Sequence, residues 1–287
     1  MKILIVGGDS RLSKTLLPML KMNNYSVLKT SRKYSNKETL FLDFENIDDF
    51  LIPKDLDFAI IVGGVTDYNA CEDNYEYAHK INCINMPLLI NNFLKSNINV
   101  IFISTNTVFM KNYSHPKENE IRNPGFPYAS LKSITEKKLI MLSQELSKEN
   151  QLSILRLTKN VSFDTSPFDN WLDKIKNNEN FNAFNNLFFA PITFEKSSEA
   201  IIKIIEKSAP GIFHISGKKD ISYSDFGKGL LQYLKKDQNL CTPINSSDIN
   251  VKLRYNHFYT SLNMKYTSSI LDINYVNLEE IYEIFKK

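Results

Sequence analysis

Tyr128 and Lys132 stand four residues apart at the start of a long helical stretch. Upstream of them an apolar run, Asn99-Val-Ile-Phe-Ile103, ends directly in Ser104-Thr105. Positions i and i+4 share one face of a helix, and a hydroxyl at the carboxyl end of a buried strand can meet that face. Such a set moves protons. An ammonium beside a phenol favours phenolate and lowers the phenol pKa toward the range useful for acid–base work. Carbonyl reduction, or the reverse alcohol oxidation, is the chemistry that fits. The spacing alone selects little, because Tyr-x-x-x-Lys occurs at Tyr25/Lys29, Tyr113/Lys117, Tyr128/Lys132 and Tyr282/Lys286. Tyr25/Lys29 reads as strand, where i and i+4 are too far apart. Tyr113/Lys117 spans a proline-containing loop, and Tyr282/Lys286 sits at the C-terminus. Only Tyr128/Lys132 follows a strand-end hydroxyl and opens a helix. Each residue alone reads equally well as ordinary surface; the set in this order points to function.

The elements that must position this set alternate. Lys2–Val6, Ser26–Lys29, Thr39–Leu42, Phe58–Val62, Val100–Ile103 and Ser153–Leu157 are short apolar runs with strand character. Between them lie helical patterns at Leu12–Met22, at Asn74–Leu94 (continuous or broken) and at Tyr128–Lys148, the first carrying Pro18 as a potential kink. Strands alternating with helices predict a Rossmann-type, doubly wound α/β fold with a parallel sheet covered on both faces. Such sheets bind ligands at the carboxyl ends of their strands. After Leu157 the pattern loosens into an Asn-rich stretch (Asn177–Asn186), a turn at Pro191, helices at Glu195–Lys207, Ser222–Leu234 and Leu278–Phe285, and a strand at Ile212–Ile215. Residues 1–160 are therefore expected to form a dinucleotide-binding domain. Residues 161–287 are expected to form mainly a smaller C-terminal α/β substrate lobe, interleaved with the last sheet elements.

A strand followed by Gly7-Gly8-Asp9-Ser10-Arg11-Leu12-Ser13 and a helix is the right setting for a loop that cradles a pyrophosphate at a helix N-terminus. Gly7, Ser10, Arg11 and Leu12 are the candidate contacts there, with Ser10 and Ser13 standing where later glycines would be. A plain strand-to-helix turn fits this segment equally well. After the second strand comes Thr30-Ser31-Arg32-Lys33 rather than an acid. A hydroxyl followed by cations suits a 2′-phosphate, so NADPH is expected over NADH, with Ser31 and Arg32 as its readers. Asp43-Phe44 follows the third strand and Gly63-Gly64-Val65 the fourth. The first pair is placed to meet the adenine and the second to let backbone lie against the cofactor.

Composition bounds the rest. The chain has 287 residues, 43% of them hydrophobic, and a net charge of +3. That excludes general disorder and argues against nucleic acid as partner. No apolar run has the length of a membrane span, and the apolar core of Met1–Val6 is too short for a signal sequence. Cys71, Cys83 and Cys241 have neither disulfide nor metal spacing, so no metal is expected, and reduced thiols suit a cytoplasmic setting.

At these motifs the chain resembles the extended short-chain dehydrogenase/reductase superfamily, and within it the dTDP-4-dehydrorhamnose reductases and related nucleotide-sugar reductases. Ile103-Ser-Thr-Asn-Thr-Val-Phe109 is similar to that family's I-S-T-D-Y-V-F, and Asn123–Lys132 to its P-x-x-x-Y-G-x-S-K region. Cys71-Glu72 with Lys80-Ile-Asn82, Leu155-Arg-Leu157, Ala190–Thr193, Gly211–Gly217 and Thr260–Asn263 follow in the family's order. The resemblance implies Thr105, Tyr128 and Lys132 as catalytic residues, with Lys132 also holding the nicotinamide ribose. It implies a nucleotide-diphosphate 4-keto-6-deoxy sugar as substrate, a role in surface polysaccharide or glycoconjugate assembly, and a homodimer paired through the helix carrying Tyr128 and the one before it. Asn106, Trp171 and Arg254 are the candidate substrate contacts, Arg254 for a phosphate. The chain departs from the family at Ser10, Ser13, Asn106 and Phe194-Glu-Lys-Ser. An epimerase of the same fold and a non-catalytic regulatory or binding relative stay open as alternatives. A 4,6-dehydratase does not, because Asn106-Thr107 replaces the Asp-Glu pair that such enzymes need.

Overall fold

The computed structural model describes residues 1–109, 114–249 and 259–286. The first half alternates as β1 (Lys2–Val6), α1 (Arg11–Met22), β2 (Ser26–Ser31), β3 (Thr39–Phe41), β4 (Phe58–Ile61), α2 (Tyr68–Asp73), α3 (Tyr75–His79), a π-helical turn at Lys80–Asn85, α4 (Met86–Lys95), β5 (Asn99–Thr105), α5 (Pro127–Glu145) and β6 (Leu152–Leu157). There follow β7 (Lys159–Val161), α6 (Phe168–Lys176), β8 (Phe181–Phe184), β9 (Phe188–Phe189), β10 (Pro191–Thr193), α7 (Phe194–Lys207), β11 (Gly211–Ile215), β12 (Ile221–Ser222), α8 (Tyr223–Tyr233), β13 (Cys241–Ile244), α9 (Lys265–Leu271) and α10 (Leu278–Glu283).

Seven strands form one parallel sheet in the order β11-β6-β5-β4-β1-β2-β3. The direction of winding reverses between β1 and β4, which opens a crevice at their carboxyl ends. Period-two alternation divides the core between the two faces of the sheet. Ile3 and Ile5 of β1 join one cluster with Leu16 of α1 and Ile201 of α7, while Leu4 and Val6 join another with Ile90 and Phe93 of α4. Because both faces are covered, the strands read as continuous apolar runs rather than alternating ones.

The expected fold class holds, with differences in detail. Helix α1 runs through Pro18 without interruption. Pro18 is on the exposed side, where water can satisfy the carbonyl that loses its intrahelical donor. The Asn74–Leu94 stretch is two elements and a turn: Asn74 caps α3, and Lys80–Asn85 winds as a π-turn before α4. The small strands β7–β10, β12 and β13, and the helices α6 and α9, were not expected. The sheet's edge strand β11 comes from residues 211–215, so the chain returns to the main sheet after β7–β10, α6 and α7. No helix among the described residues is long and apolar enough to cross a membrane.

Candidate functional site

The loop after β1 is shaped by close backbone approach. Gly7 has φ +93°, and a Cβ there would lie 2.5 Å from the Cα and nitrogen of Gly63 beyond β4. Two glycines thus let the β1 and β4 ends touch, and the floor they make is bare backbone. Gly64 has φ +131°, with the Asn82 amide packed against it. Asn82 also accepts from Val65 N at 2.9 Å and donates to Val65 O at 2.8 Å, fixing the strand-end turn.

The serines that replace later glycines stabilise this loop internally. Ser10 caps α1 through Ser13 N (3.1 Å) and donates to the Ser13 hydroxyl (2.8 Å), which donates to Gly7 O (2.9 Å). The loop is therefore held in helix-capping form without glycine at either position. Gly7 and Ser10 line a groove of about 500 Å³ with Thr30, Arg32, Asp43, Phe44 and Val65 among its walls. Gly7, Ser10, Ser31, Arg32, Asp43, Phe44, Gly63, Gly64 and Val65 of the sequence expectation all meet there. Bare glycine backbone, the N-terminus of a twelve-residue helix and a groove at the switch point fit a nicotinamide dinucleotide.

Three cofactor expectations change in role. Leu12 is buried in the core beside Leu16, so its side chain serves packing. Arg11 pairs with Asp164 at 2.8 Å, tying the loop to the segment between β7 and α6. Ser31 is buried, and its hydroxyl donates to Asp9 at 2.7 Å while accepting from Lys33 N at 3.0 Å. Asp9 is thus a groove residue that reading for glycines passed over.

At the end of β5 the Thr105 hydroxyl stands close enough to the Tyr128 phenol to pull its pKa down. Tyr128 lies in the first turn of α5, with Tyr68 of α2 across its ring at 5.0 Å between centroids and Phe126 at 6.1 Å. Tyr68 also carried no sequence signal; its position depends on how α2 folds back. Lys132, one turn on, donates to Ile103 O at 2.8 Å and lies 4.5 Å from the Phe102 ring centroid. The three expected catalytic side chains are therefore brought together.

Their electrostatics differ from the sequence expectation. Burial raises the Tyr128 pKa well above the ordinary phenol value, Tyr68 and Cys71 add to the rise, and the Thr105 hydrogen bond opposes it. The ammonium of Lys132 is not among its perturbing charges: it is turned toward the Ile103 carbonyl. Burial also lowers the Lys132 pKa to about 8, against the pull of Glu136.

Behind this pair lies a buried ionic network. Ser104, next to Thr105, donates to Glu136 at 2.5 Å, and Arg122 and Arg156 donate to the same carboxylate. Arg156 also donates to Glu118 O at 3.0 Å and to His214 Nε2 at 3.2 Å. Burial and Arg156 hold the His214 pKa down at about 3. The ring is neutral, and its Nδ1–H donates to Asn263 O at 3.0 Å.

The substrate expectations fare unevenly. Thr105 donates to Asn106 Oδ1 at 3.3 Å, and Asn106 Nδ2 donates to Thr260 O at 2.8 Å, so Asn106 links β5 to the lobe. Trp171 sits on α6, only 4% exposed, stacked on Phe181 and edge-on to Phe168. Its indole belongs to the core, although with Lys174 it borders a cavity of about 460 Å³. Arg254 lies outside the described residues. Among the described residues no cluster of metal-ligating side chains occurs.

A glycine-floored groove and a Thr–Tyr–Lys set at the sheet's carboxyl edge invite comparison with known proteins. The family model described as the RmlD substrate binding domain matches residues 1–280. The chain belongs to this family. Solved structures similar to this RmlD-family chain include dTDP-4-dehydrorhamnose reductases from Yersinia enterocolitica, Clostridium acetobutylicum and Bacillus anthracis. The Yersinia enterocolitica protein has a TM-score of 0.81 at 20% identity, covering 99% of each chain. The Clostridium acetobutylicum protein has 0.79 at 20%, covering 100% of this chain and 99% of that one. The Bacillus anthracis protein, solved in complex with NADP, has 0.80 at 18%, covering 99% and 98%. At these identities the likeness establishes a shared fold. No curated protein matches the RmlD-family chain by sequence.

Proposed function

We propose that this protein is an NADPH-dependent reductase of a nucleotide-diphosphate 4-keto-6-deoxy sugar. The observation that carries the reading is the gathering of Thr105, Tyr128 and Lys132 at the end of β5, where Lys132 bonds the Ile103 carbonyl, beside the glycine-floored groove. The Gly7 and Gly63 backbone and Arg32 would hold a reduced nicotinamide dinucleotide in that groove, which would supply the hydride for the keto carbon. Tyr128 delivers its phenolic proton to the carbonyl oxygen, completing the alcohol. Its raised pKa suits this direction, since the phenol stays protonated at neutral pH and ready to act as the acid. Thr105 donates to the same oxygen and orients it. The Lys132 side chain, fixed by the Ile103 carbonyl on the same helix face, would place its donors within reach of a ribose hydroxyl of the bound cofactor. Arg32 on the groove wall supports the 2′-phosphate.

The sugar would lie between the sheet's carboxyl edge and the lobe, whose Thr260 carbonyl is already bonded to Asn106. A homodimer through α4 and α5 is supported by Leu88 and Met141, exposed apolar residues on those helices. The setting we assign is the cytoplasmic stage of surface polysaccharide or glycoconjugate assembly.

The test is oxidation of NADPH by the purified chain with nucleotide-diphosphate 4-keto-6-deoxyhexoses. Loss of cofactor absorbance matched to alcohol formation supports the reading; substrate conversion with no net loss would make the protein an epimerase. Tyr128→Phe should cut turnover by roughly 10²–10⁴-fold with NADPH binding retained. Full activity in that variant would overturn the assignment.

A further inference from the structure

Tyr68 covers the proton donor from the side of the groove. It opens α2, one residue after Asp67, whose carboxylate accepts from Ala70 N at 2.8 Å and starts the helix there. Three residues on, Cys71 is fully buried in one cluster with Phe126 and Tyr128, and its thiol donates to Val65 O at 3.5 Å. The first turn of α2 is therefore pinned, and the place of Tyr68 follows from it. Its ring lies tilted by 33° against the Tyr128 ring, 5.0 Å between centroids, and edge-on to Phe126 at 4.9 Å. Aromatic pairs favour such spacings. Burial is uneven across the stack: Tyr128 is 9% exposed and Tyr68 41%. The residues around Tyr68 (Val65, Thr66, Asp67 and Ala70) line the groove. Tyr68 thus stands where the groove meets Tyr128, close enough to that phenol to raise its pKa.

We infer that Tyr68 is a specificity-determining residue whose ring forms an aromatic wall of the sugar site, one side packed on Tyr128 and the exposed side laid against the apolar C–H face of the substrate's sugar ring. The inference deepens the reductase reading above and rests on it. A keto group that takes a proton from Tyr128 must come to the phenol oxygen. The sugar carrying that group then lies beside whatever borders the oxygen, and Tyr68 does. A pyranose carries hydroxyls around its rim and C–H bonds on its faces, and a 6-deoxy sugar adds a methyl. Such surface gains by leaving water for an aromatic face. Tyrosine offers that face at small entropic cost, because it has only two side-chain torsions, and stacking on Tyr128 and Phe126 holds them here. The contact belongs to the ring, so phenylalanine should serve in its place and an aliphatic side chain should not.

The experiment is steady-state kinetics of the full chain with NADPH and a nucleotide-diphosphate 4-keto-6-deoxyhexose, for wild type, Tyr68→Phe, Tyr68→Leu and Tyr68→Ala. Inhibition by the bare nucleoside diphosphate, which lacks the hexose, is measured beside it. KM for the keto-sugar should rise about tenfold or more in Tyr68→Leu and Tyr68→Ala, with kcat of Tyr68→Leu within about threefold of wild type. Tyr68→Phe should keep KM within about twofold. The inhibition constant of the nucleoside diphosphate should be the same in all four proteins. Tyr68→Leu keeps an apolar cover over Tyr128 and Phe126, so it reports on the aromatic face where Tyr68→Ala loosens the stack. An unchanged KM in Tyr68→Leu, a loss confined to kcat, an equal weakening of the bare nucleoside diphosphate, or a Tyr68→Phe as impaired as Tyr68→Leu overturns the inference while leaving the reductase reading intact. Wild type that oxidises no NADPH with the keto-sugar overturns the reductase reading and the inference with it.

Discussion

The Arg156 guanidinium meets the Glu136 carboxylate at 2.6 Å, with the two side chains 1% and 0% exposed. Glu136 is one turn of α5 beyond Lys132, and it also accepts from Ser104, the neighbour of Thr105. One buried carboxylate thus ties the helix carrying the tyrosine and lysine to the strand carrying the threonine. Burial disfavours its charge, yet Arg156, Ser104 and Arg122 together hold its pKa below the usual carboxylate value.

Removing that carboxylate leaves Arg156 buried and unpaired. Glu136→Ala should cost about 3–5 kcal/mol of stability. Urea unfolding of variant and wild type measures this directly. A loss below about 1 kcal/mol, the range of an exposed pair, would show that the network does not bear on the fold.

Lys132 gives a pH-dependent expectation. Its folded-state pKa of about 8 lies below its ordinary 10.5. The folded protein therefore binds fewer protons than the unfolded chain between these values, and stability rises with pH across that window. The cost of the buried ammonium is full below about pH 8 and fades toward pH 10.5. Lys132→Met removes it. The variant should be more stable than wild type at neutral pH, by on the order of 3 kcal/mol at most, with turnover lost. Its advantage should shrink as pH rises from 8 toward 10 in thermal unfolding scans. An advantage independent of pH would contradict this origin.

Asn106 requires an amide. Its oxygen accepts from Thr105 while its nitrogen donates to Thr260 O. Asn106→Asp keeps the first contact but sets a carboxylate against the Thr260 carbonyl. We expect kcat/KM to fall by about tenfold or more, equivalent to about 1.4 kcal/mol of transition-state stabilisation, with nucleotide affinity unchanged. Steady-state kinetics beside a nucleotide titration separates the two.

Gly7 and Ser13 should respond in opposite ways. Gly7→Ala places a Cβ 2.5 Å from Gly63 in a left-handed backbone, so nucleotide binding should be lost along with about 1–3 kcal/mol of stability. Ser13→Gly removes only the hydroxyl that bonds Gly7 O, costing about 1 kcal/mol with binding kept. Equal effects in the two variants would deny the close approach its role.

The parts of the molecule legible beforehand share a physical basis. Strands β1, β4, β5 and β6 are buried on both faces and announce themselves as apolar runs, and α5 begins where Pro127 and Tyr128 begin it. Tyr128 and Lys132 are local partners on one helix, so their spacing carries their geometry. By contrast, β8 pairs with β13, from Phe181 to Cys241, in runs of four residues. Strands so short, with partners so distant, leave no period to read. Trp171 was a candidate substrate contact; the packing of Phe168 and Phe181 around it made it core.

What the sequence determined by itself was the alternation of strand and helix, the place of the strand-end hydroxyl and the tyrosine–lysine face, because each depends on neighbours a few residues away. What only the tertiary structure decided was how the charges are used. Asp9 meets Ser31 across 22 residues, Arg156 meets Glu136 across 20, and Asn106 meets Thr260 across 154. Lys132 turns to a backbone carbonyl, and burial moves the Tyr128 pKa up rather than down. Desolvation and long-range pairing depend on what surrounds a group in space, and the chain specifies that only once the sheet has brought its strand ends together.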